Sequence, residues 1–313
     1  MSDITLKYYL VASAMAFASI NPALRAMIQD ELEVDKKTIV SENFRDRNGK
    51  KSGVLILHCV GLDDAWVSKN YGLNNTNGGL GVSAHYYVSQ ESKKVYQLVS
   101  EELSAFHAGP SEWRSLAKEN NLQGLNDISI GIEFQSPGYA QIKREAYYPY
   151  SFASYSEEQI NSGILLSKQI IKKHNITPEN VVWHSDVSPL RKTDPGALFD
   201  GRRFAQNGIG VWPSADRLED NQLETSLSTI QAGLKSWGYP HVETTDVFDN
   251  ATKYVLTAHY MHYLPQEVQW EDFKNQASGS IFDTVQEWSD FPYQKDVLAI
   301  SLENLNRKNF EKF

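Results

Sequence analysis

Cysteine is nearly absent: Cys59 is the only one among 313 residues. An intramolecular disulfide is thereby excluded, and so is a zinc site built from thiolates alone, so any metal has to be held by nitrogen and oxygen. Runs of Lys and Arg are also missing. The 30 basic residues are outnumbered by 39 acidic ones, for a formal charge of −9. Such a surface repels a phosphate backbone and argues against nucleic acid as a partner. The apolar stretch at 8–20 (YYLVASAMAFASI) falls short of the roughly 20 residues that a stable membrane span needs. With Lys7 before it and ALRA soon after, it has the outline of a secretory signal, although Asp3 offsets the basic charge. An amphipathic N-terminal helix packed on a cytoplasmic protein is the alternative, and residues 1–35 are set aside as one or the other. Repeats and low-complexity tracts are lacking too.

What is present is ordinary globular usage, 41% hydrophobic and 22% charged, which rules out a disordered, collagen-like or coiled-coil chain. The length exceeds that of a typical single domain, and two domains are expected. From Gly53 the pattern is β. GVLILH (53–58) is a continuous apolar run, as in a strand buried on both faces, and the Gly/Asn-rich stretch 71–81 reads as loop. SAHYYVSQ (83–90) and KVYQLVS (94–100) flank a polar turn and predict a hairpin. ISIGIEFQ (128–135) alternates, with Glu133 projecting from the strand on the face opposite Ile130, Ile132 and Phe134. A helix is predicted from a capping box at Ser156 and Gln159 to about His174, then a short strand ending at His184. The first domain, 36–213, is therefore expected to be α/β, a mixed central sheet flanked by helices. After a polar linker at 214–221 the pattern turns helical. Helices are predicted from about Leu223 to Gly238, over 249–265, and near 281–290 and 295–310. They form a small all-α domain, 222–313.

His58 and His184 each close an apolar strand, and Asp194 follows His184 by ten residues. Two imidazoles and one carboxylate suit zinc with a fourth position left open, the mark of a catalytic site. A histidine closing a buried strand is more commonly a satisfied core residue, so the spacing alone leaves both readings standing.

The motifs LILHCVG, SAHYYVSQESKKVYQLV, FHAGPSEW, LNDISIGIEFQSPG and VVWHSDVSPLRKTDPGALF occur in this order. Over about 53–213 the chain resembles the zinc-dependent N-acetylmuramoyl-L-alanine amidases, and its closing NGIGVWP resembles their AmiD type from the bacterial envelope. The resemblance implies Zn2+ on His58, His184 and Asp194, Glu133 as acid and base, and Lys192 as the group that neutralises an oxyanion. It implies His107 and His85 along the substrate cleft, His85 being open also to a buried packing role. Trp113 is a candidate contact for sugar or peptide or else part of the core, and Ser185 and Asp186 stand beside His184, where they could orient its imidazole. The reaction implied is hydrolysis of the amide between the lactyl group of N-acetylmuramic acid and L-alanine, in peptidoglycan or muropeptides, during wall remodelling or recycling. A periplasmic or envelope location goes with it. A phage-type lytic amidase would share the chemistry. A non-catalytic peptidoglycan recognition protein on the same fold would as a rule have lost a metal donor, whereas all are present here.

Departures from the family pattern are Cys59 in place of an aromatic residue, FHAG for WHAG, and a tyrosine-rich insertion at 143–155. Residues 225–265 resemble the helical peptidoglycan-binding module appended to such amidases, with Trp237, Tyr239, His259 and His262 as candidate surface contacts; a helical cap that only stabilises the catalytic domain is the alternative.

Overall fold

Four parallel, largely buried strands carry the architecture seen in a computed structural model, which describes residues 32–60, 63–136, 150, 152–214, 225–276 and 279–312. In chain order the strands are β1 (Val34–Asp35), β2 (Phe44–Asp46), β3 (Val54–Val60), β4 (Tyr86–Val88), β5 (Val95–Gln97), β6 (Leu103–Ala105), β7 (Ser129–Gln135) and β8 (Val181–Trp183). Six of them make one mixed sheet in the order β1-β5-β4-β7-β3-β8, and β2 pairs with β6 separately. The expected hairpin is β4–β5, antiparallel and shorter than the apolar pattern; the other neighbours within the sheet run parallel. In β3 every residue but Cys59 is buried, as the continuous apolar run requires of a strand covered on both faces.

Helix α1 (Glu157–His174) begins at the expected capping box. The Ser156 side chain accepts from Gln159 N–H, and the Gln159 side chain accepts in turn from Ser156 N–H. It ends at Asn175 in the left-handed conformation, φ 54°. Gly163 lets this helix lie close on the sheet, because a Cβ there would come within 2.5 Å of the Phe134 ring on β7.

Beyond the short helices His184–Val187 and Gly201–Gln206 come three longer ones: α2 (Leu227–Trp237), α3 (Asn250–Tyr263) and α4 (Lys295–Asn306). The first two open on side-chain caps, Ser226 accepting from Thr229 N–H and Asp249 from Thr252 N–H. Helix α2 packs on α4, and α3 packs on the turn that follows β8. Residues Val34–Phe313 make one compact unit. The helix expected near 281–290 is replaced by turns and one 3-10 turn, Trp288–Asp290. Local side-chain bonds compete there: Ser280 N–H donates to Asp283 Oδ1, and Phe282 N–H to Ser280 Oγ, each at 3.0 Å. The apolar run at 8–20, linker residues 215–224 and most of the tyrosine-rich insertion lie outside the described residues. Among the described residues no helix is long and apolar enough to cross a membrane.

Ser156→Ala removes the side-chain half of the capping box. The expected cost is about 1 kcal/mol, a fall in Tm of roughly 2–4 °C by calorimetry. An unchanged Tm would show that α1 is held by packing alone.

Candidate metal centre and active site

Register brings the site together. In the β3–β7 ladder His58 stands opposite Glu133, and in the β3–β8 ladder Leu57 stands opposite Trp183, so His184 emerges beside His58. The site therefore sits at the carboxyl ends of parallel strands, where open α/β sheets collect their ligands. Asp194 joins from the following loop, which is tied back by Ser185 N–H donating to Asp194 O at 3.0 Å.

The three predicted donors converge and are buried. His58 Nδ1 lies 2.9 Å from His184 Nδ1 and 3.4 Å from Asp194 Oδ2; His184 Nδ1 lies 3.0 Å from that oxygen. The opposite ring nitrogens fix the tautomers. His184 Nε2–H faces the Ala108 carbonyl at 3.3 Å. His58 Nε2–H donates to His107 Nδ1 at 2.9 Å, His107 Nε2–H to Ser129 Oγ at 3.2 Å, and Ser129 to Leu125 O at 2.7 Å. Both Nδ1 lone pairs are then left facing one carboxylate, an arrangement that fits a divalent cation among them and little else. Electrostatics agree. Burial, then the neighbouring His184, pushes His58 down to about 3. Burial likewise lowers His184. Burial by itself would raise Asp194, but its contacts with His184 and His58, with Lys192 nearby, hold it well below the usual carboxylate range. Neutral imidazoles and an ionised carboxylate are what metal ligation requires.

Glu133 is buried, 4% exposed, rather than turned to solvent. Burial, then the Asp194 carboxylate, pushes it up to about 8, against the opposing bond from Tyr71 and charge of Lys192. The Tyr71 hydroxyl donates to its Oε1 at 3.0 Å, while Oε2 is buried without a partner among the described residues. Tyr71 was not legible in advance. It lies in the helical turn Ser68–Gly72, where the stretch read as loop begins, 62 residues away from Glu133, and nothing in the local pattern links the two. Lys192 is half-buried, and its charge acts on His58, His184, Asp194 and Glu133 together.

The residues expected along a substrate cleft face inward instead. His107, 8% exposed, is the partner of His58 described above, and a Cβ at position 131 would collide with its ring at 2.5 Å. Asn126 Oδ1 fixes the FHAG loop by accepting from the N–H groups of His107 and Ala108. His85 is buried, its Nδ1 accepting from Gly131 N–H, with Arg47 Nη2 at 2.8 Å and Leu103 O at 3.0 Å from its Nε2. Trp113 is buried too, its indole N–H donating to Glu179 O at 3.0 Å. Aromatic groups on the C-terminal side follow suit: Trp237, Tyr239, His259 and His262 are all buried, and none is a surface contact. Asp186 bonds to other groups and not to the imidazole of His184, and Ser185 Oγ has no hydrogen-bond partner among the described residues. Cys59 stands outside the donor cluster, its neighbour being Tyr155.

Residues 48–197 match the family described as N-acetylmuramoyl-L-alanine amidase. AmiD of Escherichia coli is 36% identical over 194 residues, 59% of this chain and 67% of that protein. The 1,6-anhydro-N-acetylmuramyl-L-alanine amidase AmpD of Haemophilus influenzae is 27% identical over 192 residues, 56% of this chain and 94% of its own length. Among solved structures, E. coli AmiD in complex with anhydro-N-acetylmuramic acid-L-Ala-D-gamma-Glu-L-Lys superimposes with TM-score 0.55 at 27% identity, covering 87% of this chain and 93% of that one. AmpDh3 of Pseudomonas aeruginosa has the same fold, with TM-score 0.58 at 24% identity over 90% of this chain and all of its own. With a donor cluster of the right chemistry at its strand ends and these relatives along most of its length, the chain belongs to the N-acetylmuramoyl-L-alanine amidase family.

Proposed function

We propose that this protein hydrolyses the amide bond between the lactyl carbonyl of N-acetylmuramic acid and L-alanine in peptidoglycan fragments, with zinc held by His58, His184 and Asp194. The observation that carries the reading is the convergence of two unprotonated Nδ1 atoms and one carboxylate oxygen beside a buried Glu133. Zinc bound there supplies a Lewis acid for the carbonyl and lowers the pKa of water. Glu133 takes a proton from the attacking water and returns it to the departing amine of L-alanine as the C–N bond breaks. Burial and then the Asp194 carboxylate raise Glu133, and a cation beside Asp194 would offset the second of these and favour the ionised base. Tyr71 orients that carboxylate through Oε1, leaving Oε2 for the proton. The Lys192 ammonium stabilises the oxyanion of the tetrahedral intermediate. The reading takes 36–213 as the amidase domain and 222–313 as the appended helical one. It places the enzyme in the bacterial periplasm or envelope, supported by the apolar run after Lys7.

Mass spectrometry of anhydro-N-acetylmuramic acid-L-Ala-D-gamma-Glu-L-Lys incubated with zinc-replete and chelated protein tests this directly. The tripeptide should be released in the zinc sample only; an intact substrate in both would refute the activity. His58→Ala and Asp194→Ala should lose bound zinc and turnover together. Full zinc content in Asp194→Ala would remove that residue from the donor set. Glu133→Gln should keep its zinc and lose about 10²–10⁴-fold in kcat.

The raised Glu133 value also makes a prediction for the metal-free protein. The native state binds this proton more tightly than the unfolded chain, so the associated stability is complete below the ordinary carboxylate value of 4.5 and is lost as pH rises through about 8. Glu133→Gln has no such loss. Its Tm should exceed that of the wild type by a margin that widens from pH 4.5 and levels off above about 8. A margin independent of pH would contradict the shift.

A further inference from the structure

Asp186 is fully buried on the helical turn His184–Val187, two residues beyond a proposed zinc donor. Three groups donate to its carboxylate. Trp183 N–H reaches Oδ2 at 2.8 Å, His262 Nδ1–H reaches Oδ2 at 2.7 Å, and the Tyr239 hydroxyl reaches Oδ1 at 2.7 Å. A carboxylate only accepts, so Nδ1 of His262 carries its proton. Two of the three donors belong to the C-terminal helical region: Tyr239 just past α2, and His262 in the last turn of α3.

Trp183, the residue before His184, is gripped from the same side. Its ring stacks on His262 at 4.1 Å and 11°, and His262 stacks in turn on Tyr263 at 3.9 Å and 13°. The residues that bracket His184 are therefore both fixed by groups more than 50 positions away in sequence. The turn they hold is bonded onward to Asp194 through Ser185 N–H, so a displacement of the turn moves two donors at once. Ligand distances in a metal site hold to about 0.2 Å, a tolerance that such a displacement exceeds easily.

We propose that Tyr239 and His262 are positioning residues for the metal centre, acting through Asp186 on the turn that carries His184. The C-terminal helices are thereby part of the catalytic scaffold. This rests on the reading of His58, His184 and Asp194 as zinc donors.

The test uses the full chain, with zinc affinity measured by competition against a chromophoric chelator, and with kcat and KM on the anhydro-muramyl tripeptide. Tyr239→Phe, which deletes one oxygen, and His262→Ala should each weaken zinc binding by about tenfold, the lower end for partners of metal ligands. Both should lower kcat with KM unchanged. His262→Asn, whose amide N–H can take the place of Nδ1–H, should recover most of the loss. Variants that melt lower without metal yet bind zinc like the wild type would reduce the network to packing and overturn the proposal. A raised KM at unchanged zinc affinity would overturn it as well, in favour of substrate contact. If the wild type takes up no zinc, the donor assignment itself fails; if it binds tightly and the variants match it, only the positioning role does.

Discussion

Two imidazole nitrogens and a carboxylate oxygen, all presenting lone pairs, stand 2.9–3.4 Å apart in a buried pocket, and their mutual repulsion has to be held in place by everything around them. The three groups are buried, where charges are weakly screened, so each acceptor is felt strongly by the others. A protein can keep such a cluster only by removing the easy ways out. A ring flip of His58 would break its bond to His107, which is itself committed to Ser129, and that serine to a main-chain carbonyl. Rotation of His184 would leave the Ala108 carbonyl without that N–H. Backbone register then fixes the remaining freedom, because β3 lies between β7 and β8 and cannot slip by one residue without turning its whole set of side chains over.

The same burial that sharpens the donors changes the chemistry of Glu133. A carboxylate beside Asp194 in a dry site is two like charges too many, and the proton it retains is the response to that. Glu133 is thus poised by its surroundings: burial and Asp194 keep its proton on while the cluster is bare, and a cation there would favour its release. Tyr71 contributes by binding one oxygen only, so the second remains available.

Much of this was legible along the chain, and the limit was physical. Apolar runs ending in histidine, an alternating strand with a lone carboxylate, and a Ser/Gln pair at cap spacing are local patterns, and local patterns gave His58, His184, Glu133 and the start of α1 correctly placed. The same reading set Asp194 beside the two histidines, and the family resemblance added Lys192 and a role for Glu133. What escaped was decided by contacts between distant segments. Nothing near Tyr71 points to Glu133, and nothing near Trp113 says that it will pack edge-on against Trp237 and Tyr239. His85 and His107 carry the residue type of a cleft, but the fold spends them on main-chain atoms and on each other's neighbours. The expected helix near 281–290 lost to Ser280 and Asp283, whose short side chains offered the backbone nearer partners.

Helix α3 shows most clearly why an appended region can be misjudged from pattern alone. From Val255 to Tyr263 every residue is buried, so there is no polar face left for a ligand and no single apolar stripe to mark the side that docks. Its histidines turn inward: His259 Nε2 meets Ser301 on α4 and His262 meets Asp186 beneath the donor cluster, while His259 Nδ1 and the Tyr260 hydroxyl are buried without a partner among the described residues. Withdrawing this helix would strand a buried carboxylate two residues from His184, a far greater cost than the loss of one exposed ion pair. Linkage makes the consequence reciprocal. If seating the helices favours the geometry that takes the cation, the cation must favour the seated helices by the same free energy, so occupancy of the donor cluster and closure of the C-terminal region are two readings of one equilibrium.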